Sequence, residues 1–269
     1  MERMDPRHPI GVFDSGIGGL TVFKALSRRM PEESLIYFGD TAHVPYGSKS
    51  AEAVTRYSLE VARYLAGRRV KLLVVACNTS SALALLAIQK SLDIPVLGVI
   101  SPGARAAADA TRSGAVGIIG TEATINSGAY TRALVERLPR ARVSARACPL
   151  FVPLVEEGWW SHAATLEAAR HYLAPLKRAR VDTLILGCTH YPLLKGAVAK
   201  VMGRGVKLID SAEQTALETE ALLVELKMRK KGGVGSRSFV VSDDPKRFLK
   251  LARRLLGVRV SRAALHRFD

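Results

Sequence analysis

The tightest constraint on how this chain can fold is that part of it is written twice. "IGVFDS" at 10–15 returns as "VGIIGT" at 116–121, an offset of 106. "ACNT" at 76–79 returns as "GCTH" at 187–190, an offset of 111, and "LGVIS" at 97–101 returns as "KLIDS" at 207–211, an offset of 110. Each unit reads strand–helix–strand–helix–strand–helix–strand in the same order. Short aliphatic runs alternating with amphipathic stretches mark an α/β chain with mostly parallel sheets. Two such units imply two similar lobes. In open α/β sheets a ligand sits outside the carboxyl ends of the strands. A facing pair of lobes therefore puts Cys77 and Cys188, each at the end of a third strand, across one cleft.

The strand candidates are "IGVF", "LIYFG", "LLVVAC", "PVLGVI", "VGIIG", "RVSARAC", "TLILGC", "KLIDS" and "SFVVS". Between them Leu20, Phe23, Leu26 and Met30 share a helix face that Pro31 closes. Val54, Tyr57, Val61 and Tyr64 share a second, and Phe248, Leu251 and Leu255 a third. With 48% hydrophobic residues the core is well supplied. No apolar run approaches the ~18 residues of a membrane span, and "MERMDPRHP" leads into no secretory segment. The expected setting is cytoplasmic, with no membrane partner.

Net charge is +16, and residues 227–269 carry 13 Lys/Arg against 3 Asp/Glu, or +10. Such a balance suits an anionic partner. No nucleic-acid motif accompanies it, so a solvated basic face is the favoured reading and nucleic acid is not an expected partner.

Chemistry concentrates around the two cysteines. Cys77 leaves a buried strand and opens a helix beginning Asn78, Thr79, Ser80, Ser81. A helix N-terminus favours thiolate and should lower its pKa. The amide and hydroxyls that follow can cap the helix or hold a carboxylate. Cys188 has the equivalent place, followed by Thr189 and His190, with Pro192 suited to the first turn of a helix. His190 can orient the thiol or exchange a proton with it. A protease-type Cys–His pair needs one cysteine, and zinc needs a fourth ligand that no close-spaced motif supplies. Two thiols on opposite sides of a small substrate suit a different chemistry, in which one removes a proton from carbon while the other delivers one to the opposite face. Cys148 has no counterpart in the other unit and reads as structural.

Asp14, at the end of the first strand, and Glu156, in "LFVPLVEEG", are acids placed to support such thiols; Asp40 in "YFGDT" is either a turn acid or a cleft residue. The loop Gly16–Gly19, "GIGG", fails as a dinucleotide fingerprint because Thr21 stands where the last glycine belongs, and it lacks the Gly-Lys-Ser/Thr ending of a phosphate loop. "HVPYGSKS" presents Pro45, Tyr46 and Gly47 as an exposed turn, and "GTEATINSG" opens a helix with Thr121 and Thr124.

Together these segments, from "IGVFDSGIGGLTV" through "YFGDTAHVPYGSKS", "ACNTSSA", "GTEATINSGAY", "FVPLVEEG" and "LGCTHYPLL" to "LIDSAEQTA", resemble the glutamate racemases of the aspartate/glutamate racemase superfamily. The resemblance implies two Rossmann-like lobes related by a pseudo-two-fold axis, here 1–99 with 211–269 and 100–210, with the active site between them. It implies cofactor-independent interconversion of L- and D-glutamate for peptidoglycan synthesis, and a homodimer. Cys77 is then the base toward D-glutamate, assisted by Asp14. Cys188 is the base toward L-glutamate, assisted by His190 and Glu156, the acid that fits the family register better than Glu157. Substrate contacts fall on Asp14, Ser15, Tyr46, Gly47, Asn78, Thr79, Thr121, Thr124 and Thr189. His43 stands where arginine is usual in that family. The alternative substrate is aspartate; the alternative from another class is a basic nucleic-acid-binding protein.

Overall fold

Ten strands, all parallel to their neighbours, form two sheets in the computed structural model, which describes residues 5–256 and 260–268. The first sheet takes β1 (Ile10–Asp14), β2 (Leu35–Gly39), β3 (Leu72–Val75) and β4 (Val96–Gly98). The second takes β5 (Ala115–Gly120), β6 (Arg142–Ala147), β7 (Thr183–Gly187) and β8 (Lys207–Ile209). The chain then returns to the first sheet with β9 (Arg237–Val241) and β10 (Ala264–Leu265). The strand orders are β10-β9-β2-β1-β3-β4 and β6-β5-β7-β8. Strip off the two added edge strands and both sheets have the same order, with the first strand of the unit between its second and third. The duplication in the sequence is thus a duplication of topology.

Burial explains why these runs are strands. β1, β2, β3, β5 and β7 are buried at every position, as expected of parallel strands covered on both faces. Successive side chains alternate between faces. Val12 joins Leu26, Tyr37 and Leu72 beneath the helices Leu20–Arg29 and Ala212–Glu225. Phe13 turns the other way, to Phe38, Val61 and Val75 beneath the helix Ala51–Gly67. That helix starts where Ser50 accepts a hydrogen bond from the Ala53 N–H at 3.2 Å. Register carries both lobes to the same edge: Phe13 pairs with Val75, and Gly120 pairs with Gly187. Ser15 and Cys77 therefore emerge side by side, as do Thr121 and Cys188.

The strand expected over "PVLGVI" stops at Gly98, because Ile100 already begins the helix Ile100–Ala110. Two-residue β10 carries no alternating pattern that a sequence could announce. Phe248 and Leu251 are buried on the helix Pro245–Leu256 and pack into the first lobe's core. Among the described residues no helix is long and apolar enough to cross a membrane.

Candidate active site

Cys77 and Cys188 line one narrow cavity where the two lobes meet, together with Ser15, Asn78, Thr121 and His190. Its volume is about 20 Å³, room for roughly one water. A larger pocket of about 370 Å³, called here the vestibule, adjoins it, and Val44, Pro45 and Val152 line both spaces. Those three residues are where the two spaces adjoin.

On the first lobe, Cys77 caps the short helix Asn78–Leu83. Its Sγ lies 3.6 Å from the Ser15 hydroxyl. The thiol does not behave as a helix N-terminus alone would dictate. Burial, then the Asp14 charge, push its pKa up to about 11; the Ser80 N–H and the Ser15 and Ser80 hydroxyls only partly oppose this. Asp14 is itself fully buried, and burial raises its pKa against the pull of His190 and of the hydrogen bonds from Gly19, Gly16 and Thr189.

On the second lobe, Cys188 follows β7 directly. A 3₁₀ turn, Tyr191–Leu194, comes next, so the α-helix expected around Pro192 starts only at Lys195. His190 Nδ1 lies 3.8 Å from Cys188 Sγ, and its Nε2 lies 2.9 Å from Glu156 Oε1. Burial works against charge on this imidazole. Hydrogen bonding to the Cys188 sulfur and to the Glu156 carboxylate, with the negative charge those groups carry when ionised, outweighs it and holds the His190 pKa well above its ordinary value. That direction favours the imidazolium form, which would aim Nδ1–H at the sulfur and Nε2–H at the carboxylate.

Polar side chains stitch the lobes together across the cleft. Thr189 Oγ1 donates to Asp14 Oδ1 at 3.0 Å. Thr79 Oγ1 is 3.0 Å from Thr121 Oγ1 and 3.2 Å from Thr124 Oγ1. Tyr130 OH donates to Asn78 Oδ1 at 2.6 Å. Two glycines make this closeness possible. A Cβ at Gly18 would stand 2.4 Å from Thr189 Oγ1, and one at Gly47 would stand 2.3 Å from the Thr121 Cβ. "GIGG" is therefore the place where the first lobe's loop slides against Thr189 and His190 of the second.

The pattern defining the Asp/Glu/Hydantoin racemases matches residues 14–219. The chain belongs to this racemase family. Among its relatives, a glutamate racemase of Geobacter metallireducens is 55% identical over 253 residues, 94% of each chain. Glutamate racemase isoform RacE1 of Bacillus anthracis matches the fold with a TM-score of 0.93 at 40% identity, covering 98% of each chain. The enzyme of Francisella tularensis, solved in complex with D-glutamate, gives 0.91 at 37% identity, covering 97% of this chain and 98% of its own.

In this racemase the structure gathers Asp14, Ser15, Cys77, Asn78, Thr79, Thr121, Thr124, Cys188, Thr189, His190 and Glu156 at the interface of the lobes. The turn at Tyr46 and Gly47 is there too, but it is buried rather than exposed. Tyr46 is 1% exposed because its hydroxyl donates inward to Asp40 and its ring packs against Phe13. Asp40 is a buried hub: it accepts from Tyr46, from Ser242 Oγ at 2.6 Å and pairs with His43 at 2.9 Å. His43 stacks on Tyr57 with ring centroids 3.9 Å apart. Cys148 lies within the second lobe's core, with its Sγ near its own neighbour's carbonyl, Arg146 O.

Sequence reasoning missed Tyr130, Ser242 and Arg247. Arg247, on Pro245–Leu256, brings Nη2 to 3.8 Å from Glu156 Oε2 and 3.7 Å from Glu157 Oε1 at the vestibule rim. Two turns on, the Arg254 guanidinium lies 4.0 Å over the Trp160 ring. Part of the basic C-terminal stretch is thus engaged by partners within the chain. Arg229 likewise pairs with Glu32 and Glu220, and Arg237 donates to Ser27 Oγ.

Proposed function

We propose that the chain is a cofactor-independent glutamate racemase that moves the α-proton between two cysteines, supplying D-glutamate for peptidoglycan synthesis. The observation carrying this reading is that two thiols, from matching positions of a duplicated unit, face one cavity from opposite lobes. An amino acid's α-proton is far less acidic than a thiol, and here no electron sink of the pyridoxal kind is invoked. The cleft must therefore lower the barrier by excluding water and directing donors at the carboxylate where charge grows. Asn78, Thr79, Thr121, Thr124 and Thr189 are the donors within reach, and Asp14 with Ser15 suits the ammonium.

In one direction the Cys77 thiolate takes the α-proton of D-glutamate and the Cys188 thiol returns one to the other face, leaving L-glutamate and a Cys188 thiolate. In the other direction the roles exchange. Asp14 supports the Cys77 side; His190 and Glu156 support the Cys188 side. Tyr46 and Gly47 serve through the shape of their turn, since the Tyr46 hydroxyl is engaged with Asp40. The lobes 1–99 with 211–269 and 100–210 are the bodies that part to admit substrate. The same reading places the protein in the cytoplasm as a homodimer, which sedimentation would check.

Enzyme incubated with L-glutamate in D2O, without added cofactor, should lose optical rotation and gain deuterium at Cα. Unchanged rotation from both enantiomers would sink the proposal. Faster turnover of aspartate than of glutamate would move the substrate while keeping the chemistry.

A further inference from the structure

Tyr130 sits on the helix Ala129–Arg137 of the second lobe, 2% exposed, and does not line the cavity between the thiols. Its hydroxyl nevertheless reaches Asn78, which does line it, at 2.6 Å. The bond ends on Oδ1. The other end of that amide, Nδ2, is buried and has no hydrogen-bond partner among the described residues. A buried amide donor left unpaired is unfavourable, so this orientation needs a cause.

An asparagine amide fills the same space in either orientation; only its hydrogen-bond partners choose between them. Burial raises the Tyr130 pKa, only partly opposed by a hydrogen bond from the Ser211 side chain, so the phenol keeps its proton and that proton needs an acceptor. Oδ1 supplies one. With the amide reversed, the amine would face the phenol, and a carbonyl lone pair would face the cavity where an anionic substrate group has to bind. The ring itself has little freedom. A Cβ at Gly103 or at Gly187 would stand 3.1 Å or 3.0 Å from its edge carbons, so the two glycines let the backbone close tightly on the ring.

We infer that Tyr130 is a positioning residue that locks the Asn78 amide with its Nδ2 donor turned into the reaction cavity, ready for an anionic oxygen of the substrate. The identity of that oxygen as a carboxylate rests on the racemase reading above. Because Tyr130 and Asn78 belong to different lobes, the donor is oriented only when the lobes are together.

Tyr130→Phe removes the hydroxyl and keeps the ring. It should lower kcat/KM by about tenfold, and by the same factor for L- and D-glutamate, because the enantiomers are equal in free energy. Asn78→Ala should lose at least as much. The deciding arm is the double variant: adding Tyr130→Phe to Asn78→Ala should cost nothing more than about twofold. Full activity in Tyr130→Phe overturns the inference. So does a tenfold loss that persists in the Asn78→Ala background, since Tyr130 would then act through packing. If the wild type racemises nothing, the function is wrong but the orientation can still be read. In a neutron diffraction map the Asn78 Nδ2 amine should lie on the cavity side, and finding it on the Tyr130 side overturns the inference.

Discussion

Cys77 and Cys188 hold matching posts in two copies of one fold, yet what stands behind each thiol differs. Cys77 has a hydroxyl, Ser15, and an anionic neighbour, Asp14, and burial drives its proton affinity up. Cys188 has an imidazole, His190, anchored on a carboxylate and favoured toward its protonated form. The backbone of the repeat delivers both sulfurs to the cleft. The side chains that tune them are not repeated: Thr121 stands where Ser15 does, and Asn78 where Thr189 does. A reaction symmetric in its two products is served by an asymmetric pair, in which burial and a buried acid surround one thiol and an imidazole backed by a carboxylate stands beside the other.

Removing either thiol is the severest test of that comparison. Cys77→Ser and Cys188→Ser should each lower racemisation by about 10³-fold or more, the scale of positioned acid–base catalysis. Polarimetry with both enantiomers reads the result, and full activity in either variant reduces the pair to a single base. Glu156→Gln is gentler, with a loss of roughly tenfold. The carboxylate raises the His190 pKa, so its removal lowers that pKa and imidazolium is lost at lower pH. The alkaline limb of the kcat profile should therefore move to lower pH; an unmoved limb breaks the link from Glu156 to Cys188.

The Cys77 side makes its own prediction through stability. The folded-state pKa is raised from 9.0 to about 11, so the folded protein holds a proton that the unfolded chain releases. That contribution is fully present below pH 9 and is lost as pH rises through about 11. Urea midpoints between those limits should fall more steeply for the wild type than for Cys77→Ser. Equal slopes would show that Cys77 is not the buried, proton-retaining member of the pair. Smallest of all is Arg247→Gln. Its guanidinium is half-exposed and nearly 4 Å from Glu156, so kcat should change by no more than about threefold. A larger loss would make the C-terminal helix a working part of the Cys188 side.

Much of this was legible in the sequence because it depends on local pattern. Buried runs such as "LLVV" and "TLILG" announce parallel strands, and the offset between "ACNT" and "GCTH" places two cysteines in equivalent posts. What escaped depends on distant partners. Nothing near Tyr130 signals that its hydroxyl meets Asn78, 52 residues earlier. The turn at Tyr46 looks exposed by composition, and only Asp40 and Phe13, brought in by the sheet, bury it. The sign of the Cys77 shift also failed locally. A helix N-terminus predicts a more acidic thiol, and the depth of the site, which no short segment encodes, reverses it.

Val44 and Pro45 come from one lobe and Val152 from the other, and together they wall the inner cavity off from the vestibule. A cavity with room for about one water is too small for glutamate, so its walls have to move before substrate can sit between the thiols. Each turnover thus includes two passages through a doorway in addition to two proton transfers. A step that moves protein groups against solvent feels friction as the proton steps do not. Sucrose thick enough to slow diffusion should slow saturated turnover whenever the doorway, rather than a thiol, sets the pace.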